Sequence, residues 1–62
     1  MHREELIFLR KKHQLTQADV AKKAGIQRSY YGLIETGVRN PSLGIATKIA
    51  EAFEVSIEDA FP

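Results

Sequence analysis

Side chains capable of catalysis are few in this sequence and badly spaced for it. Ser29, Ser42 and Ser56 stand in no nucleophile motif, no glycine-rich phosphate loop is present, and no carboxylate pair has a recognisable acid–base spacing. Cysteine is absent and the two imidazoles, His2 and His13, lie eleven residues apart. That excludes disulfides and thiolate sites, and leaves too few ligands for a structural zinc. A chain of this size also has little room for a substrate pocket of about 300 Å³ or more. No enzyme, metal or cofactor is therefore expected. What the side chains do offer is charge. Residues 1 to 39 carry eight bases (Arg3, Arg10, Lys11, Lys12, Lys22, Lys23, Arg28, Arg39) against four acids, a balance of +4, whereas residues 40 to 62 carry Lys48 against four acids, a balance of −3. This asymmetry suits one face for a polyanion and another for something else, although solvated helix faces account for most of these charges equally well.

The elements that would position these charges are short helices. At 62 residues and 7.0 kDa the chain is too small for two cores, and without staples it needs regular helix packing or a partner. Apolar residues at 44% and charged residues at 27% are ordinary for a globular protein. The longest strongly apolar run, Leu6-Ile7-Phe8-Leu9, is far too short for a membrane span or a signal-peptide centre, so a cytoplasmic location is expected. Apolar residues recur at three and four, a helical period. A first helix over about 2–13 places Leu6, Leu9 and His13 along one face with Arg10 beside them. Thr16 and Asp19 have capping-box spacing and open a second helix over about 17–24, stopped by Gly25. A third, over about 28–36, is stopped by Gly37. Pro41 holds residue 40 extended, and Ser42 can cap a fourth helix over about 43–53. Ser56 and Asp59 repeat the capping-box spacing before a fifth over about 57–61. The expected fold class is all-α.

Two short helices around a glycine turn are the sequence form of a helix-turn-helix, whose second helix enters a DNA major groove. Between residues 17 and 36, Val20, Ala24, Ile26, Tyr31 and Ile34 fall where the helices must bury apolar surface, Ala21 where they approach closely, and Gly25 in the turn. With these positions filled, the chain resembles the phage-repressor or Cro-like (XRE-type) helix-turn-helix family. The likeness lies in Leu15-Thr16-Gln17-Ala18-Asp19-Val20-Ala21-Lys22-Lys23-Ala24-Gly25-Ile26, Ile34-Glu35-Thr36-Gly37, Asn40-Pro41-Ser42-Leu43, Lys48-Ile49-Ala50-Glu51-Ala52-Phe53 and Val55-Ser56-Ile57-Glu58-Asp59.

The resemblance implies a five-helix lambda-repressor-like domain over residues 1–62 and a sequence-specific regulator of transcription whose partner is a double-stranded DNA operator; repression is expected ahead of activation because occupying promoter DNA needs no further surface, and the sequence leaves the choice open. It places the first turn of the third helix in the groove, so that Gln27, Arg28, Ser29 and Leu33 contact base edges: Arg suits guanine, Gln adenine, and Leu a thymine methyl. Thr16 and Gln17, with Tyr30, Arg39 and Asn40, are the implied phosphate contacts. Arg28 and Arg39 also have the plainer reading of solvated charges, and Leu33 that of an ordinary surface residue. Relatives pair the equivalents of Arg10 and Glu35 in a partly buried ion pair, which implies a structural role here. Gln27 and Leu33 depart from the family's usual Ser or Thr and polar residue, so the target sequence cannot be copied from a relative. Gly32, inside a helix, is either tolerated weakness or a point of close approach. One reading helix covers few base pairs, so a homodimer on a palindrome is expected, with Ile45, Ala60 and Phe61 as its candidate interface, the plainer reading of these three being ordinary core. The competing reading is an antitoxin-like or regulatory protein-interaction module of the same fold.

Overall fold

The computed structural model describes residues 3–62; His2, where the first helix was expected to begin, lies outside them. Five helices follow in order: α1 (Glu4–Lys12), α2 (Gln17–Ala24), α3 (Arg28–Glu35), α4 (Leu43–Ala52) and α5 (Ile57–Ala60). No strand occurs among the described residues. Each helix lies within two residues of its expected span. α2 starts with the complete capping box: the Asp19 N–H donates to Thr16 Oγ1 at 3.1 Å, and the Thr16 N–H to Asp19 Oδ2 at 2.8 Å. Ser42 and Ser56 accept from the N–H groups of Ile45 and Asp59, respectively. At α5 only this half of the expected box forms, and Asp59 does not return the bond.

α2 packs against α3 and α4, α4 against α5, and α1 against α3 and α5, so the amphipathic faces close on one centre. That centre holds Leu6, Leu9, Val20, Ala21, Ala24, Tyr31, Ile34, Ile49, Ala50, Phe53 and Ala60. Ala21 is buried in the core, as its close-approach position requires, while Ile26 is half-buried on its edge. His13 is the C-cap of α1, exposed, with its ring 6.1 Å from that of Phe53.

The helix ends share one device. Gln14, Gly25, Gly37 and Glu54 all have left-handed backbone, at φ of 58°, 72°, 83° and 59°. In each case the next residue's N–H reaches back to a carbonyl five residues earlier: Leu15 to Arg10, Ile26 to Ala21, Val38 to Leu33 and Val55 to Ala50. This is the Schellman closure, which satisfies carbonyls that a helix end leaves orphaned. The two glycines are legible stops. Gln14 and Glu54 do the same work against the Cβ crowding that disfavours this region.

A Cβ on Gly32 would meet only the Gln17 side-chain oxygen, at 3.6 Å, which is ordinary contact. Close packing therefore does not require glycine there, and the residue is a weak point of α3. Gly32→Ala is expected to stabilise the fold by about 1 kcal/mol, and Gln14→Gly by up to about 1 kcal/mol. In thermal melts each should raise the midpoint by a few degrees; a fall for either would contradict the packing or the strain assigned to that position.

Candidate nucleic-acid interface

The two N-termini of the helix-turn-helix differ chemically. At α2 the capping box consumes the N–H of Asp19 and places a carboxylate beside the helix pole. The bonds from Thr16, backbone first, hold that carboxyl below its usual range. The N–H groups of Gln17 and Ala18 find no acceptor there among the described residues. α3 begins otherwise. Its N-cap, Gln27, makes no side-chain capping bond, and its first turn holds no acid. The positive helix pole, the first-turn N–H groups and the Arg28 guanidinium are thus left unneutralised. Gln27, Arg28 and Ser29 are exposed, and Leu33, one turn beyond Ser29, is 39% exposed. Tyr30 is half-buried against the core. Arg39 and Asn40 are exposed on the following loop, which is tied to α3 because Leu33 O accepts from the N–H groups of Val38 and Arg39 and from Thr36 Oγ1. All the expected contact residues therefore lie on or beside α2 and α3 within one packed unit.

A buried carboxylate locks these helices together. Glu35 at the end of α3 is 3% exposed. Arg10 of α1 grips it with two bonds, Nε to Oε2 at 2.7 Å and Nη2 to Oε1 at 3.2 Å, and donates through Nη1 to Leu15 O at 3.2 Å. Gln17 Nε2 donates to Glu35 Oε1 at 3.0 Å. One Nε2 hydrogen of the half-buried Gln17 is therefore engaged inward, while the other and the main-chain N–H make no bond among the described residues. Burial pushes the Glu35 carboxyl up, but the bonds from Arg10 and Gln17 outweigh it and hold the group below its usual range. The same bond to Glu35, against a smaller effect of burial, raises Arg10. The Tyr31 hydroxyl is enclosed nearby with no geometrically formed hydrogen bond among the described residues, and burial, with Glu35 beside it, pushes the phenol far above its ordinary value.

Sequence reasoning missed Arg3. Its N–H donates to Glu35 O at 2.8 Å and its Nε to Ile34 O at 2.9 Å; its Nη2 bonds Asn40 Oδ1, and its guanidinium lies 5.4 Å from the centre of the Phe61 ring. α3 has no base in its own last turn. That gap was the one available hint that a distant cation supplies the charge its negative pole favours. The expected interface residues need correction too. Ala60 is 1% exposed because α1, α4 and α5 close over it, so it is core and offers no surface. Ile45 and Phe61 are half-buried against that core. Among the described residues the large exposed apolar side chains are Phe8, Leu33, Val38 and Leu43.

Truncating Glu35 strips the half-buried Arg10 guanidinium of its counter-charge and of two bonds, so Glu35→Ala should cost about 3 kcal/mol, the low end for breaking a buried pair. A loss under about 1 kcal/mol in thermal melts would contradict this role. Because the folded carboxyl lies below its unfolded value of about 4.3, its stabilisation is present above that pH and is lost as pH falls through the folded value. Asp19 acts in the same direction, so Glu35→Gln should flatten the acid-side fall of the melting midpoint without abolishing it. An unchanged fall would place the titration elsewhere.

Comparison with known proteins supplies the family. The family model described as Helix-turn-helix matches residues 6–59. An uncharacterised HTH-type transcriptional regulator of Methanocaldococcus jannaschii is 48% identical over 59 residues, covering 95% of this chain and 89% of its own. A second such regulator, from Archaeoglobus fulgidus, is 46% identical over 52 residues, covering 84% and 74%. Among solved structures, the restriction-modification controller protein C.AhdI from Aeromonas hydrophila superposes with a TM-score of 0.88 at 36% identity, covering 94% of this chain and 88% of its own. A chain from the SinR–SinI protein complex gives 0.87 at 27% identity, covering 98% and 60%. With the lambda-repressor-like arrangement of five helices and a match over nearly its whole length, the chain belongs to the XRE-type helix-turn-helix family of transcriptional regulators.

Proposed function

We propose that this regulator binds a palindromic double-stranded operator as a homodimer, one α3 in each of two major grooves about 34 Å apart, and represses transcription by occupying promoter DNA in the cytoplasm. Residues 1–62 act as one DNA-binding domain. The observation that carries this reading is the open N-terminus of α3: uncapped, free of acids, and bearing exposed Gln27, Arg28 and Ser29 with Leu33 one turn on. Gln27, Arg28, Ser29 and Leu33 meet base edges. Thr16 through its hydroxyl, Gln17 through its main-chain N–H, and Tyr30, Arg39 and Asn40 meet phosphates. The dimer contact involves Ile45 and Phe61. The relative that controls a restriction-modification system supports a regulatory role, by analogy.

A protein-interaction module of the same fold is the second reading. It is favoured by the exposed Phe8, Val38 and Leu43 and by the SinR–SinI complex among the structural neighbours. Selection from a random DNA pool separates the two. A palindromic consensus with half-sites one helical turn apart is expected; no enrichment at low salt would overturn DNA recognition in favour of the second reading. Within the first, Arg28→Ala should cost about 1 to 3 kcal/mol and relax one base pair, while Arg39→Ala should weaken all sequences alike and lower the salt slope by about one. The two phenotypes exchanged would mean that the docking register is wrong. Sedimentation of the protein, free and on operator DNA, should give a dimer, and a monomer on a single half-site would remove the symmetric arrangement.

A further inference from the structure

We infer that Arg3 is a positioning residue for the phosphate-binding loop: it fixes the Asn40 side chain as a hydrogen-bond donor aimed at the DNA backbone. This rests on the DNA-binding reading above. A guanidinium can only donate, so its bond to Asn40 must take the amide oxygen. The bond takes one lone pair of that oxygen and turns it towards Arg3, so the exposed amide presents its NH₂ group, two donors, on its other side, which is what a phosphate oxygen requires. Asn40 precedes Pro41, so its backbone is held extended and its side chain is the adjustable part.

Arg3 is itself well anchored. Its Nε is held by Ile34 O, its main-chain N–H by Glu35 O, and its guanidinium carbon lies over the Phe61 ring. The first two partners belong to the end of α3, the helix that carries the proposed base contacts. Through Arg3, Asn40 is therefore referenced to the same helix as Arg28 and Leu33, and a phosphate contact at Asn40 sets the register of the reading helix. Lysine at position 3 would keep the charge and lose the planar fork that serves Ile34 and Asn40 together.

The test is a double-mutant cycle of Arg3→Ala and Asn40→Ala, read as operator affinity over a range of salt at a temperature where melts show each variant folded. Arg3→Lys serves as the milder variant if Arg3→Ala melts too low. Each single change should weaken binding about tenfold, the size of one hydrogen bond to a charged group. The double variant should be little weaker than either single one. Because the group that meets the phosphate is a neutral amide, the salt slope should stay that of the wild type. A slope lower by about one in Arg3→Ala would overturn the inference, since Arg3 would then be a phosphate ligand itself. Additive losses, or wild-type affinity in Arg3→Ala, would overturn it as well. Wild-type protein that binds no selected DNA would instead overturn the underlying reading, so the two failures are distinguishable.

Discussion

Glu35 is an ionised group in the interior of a domain barely large enough to have one, and most of the arrangement follows from how its charge is satisfied. A carboxylate taken out of water is tolerated only with a counter-charge and bonds to its remaining lone pairs. Here they arrive from separate elements, the guanidinium of Arg10 from α1 and the amide of Gln17 from α2, while Glu35 itself belongs to α3. Apolar contacts alone would let short helices slide by fractions of an ångström. A bidentate fork would not, because its two bonds require one plane and one spacing. The orientation of α3 is thereby tied to a polar geometry, while its own Tyr31 and Ile34 are buried in the apolar core with Leu6 of α1.

The second constraint is the treatment of helix ends. In a chain with helices of four to ten residues, a large share of the backbone polar groups are terminal. The four longer helices close their C-termini with a left-handed residue, and α2, α4 and α5 cap their N-termini with Thr16, Ser42 and Ser56. α3 adds to this pattern at one end and, like α1, departs from it at the other. Its C-terminal carbonyls are met by Arg3 from far along the chain, and its N-terminus carries no side-chain cap. An open positive helix pole is a cost in an isolated protein and an asset in one whose ligand is an anion.

Helix number, spans and the main buried positions are legible in the sequence because they depend on local rules. The Thr16–Asp19 box, the glycine stops and the three-four apolar period each act within a few residues. The less legible features involve residues with no local signature. Gln14 and Glu54 take a conformation usually left to glycine, so nothing at those positions marks them as helix ends. Ala60 carries the same small side chain whether it lies in a core or on a surface, and only the closing of α1, α4 and α5 decides which. Gln17 reads as a surface residue at a helix start, yet a long polar side chain there can turn inward once a buried carboxylate is within reach. Arg3 reads as one base among eight in the positive half of the chain.

By itself, then, the sequence determined an all-helical chain, a helix-turn-helix between residues 17 and 36, and a third helix whose first turn offers Gln, Arg and Ser. Those features rest on backbone preference and side-chain type, which are written locally. Only the tertiary structure decided which charges are spent inside and which remain for a partner. Arg3 and Arg10 are both guanidinium groups in the same basic half, yet one is held by the end of α3 and the other by Glu35, while Arg28 and Arg39 stay exposed. The physical reason is that a charge finds its partner through space: the separations of 25 and 31 residues that these bonds span are set by how five helices close on one core.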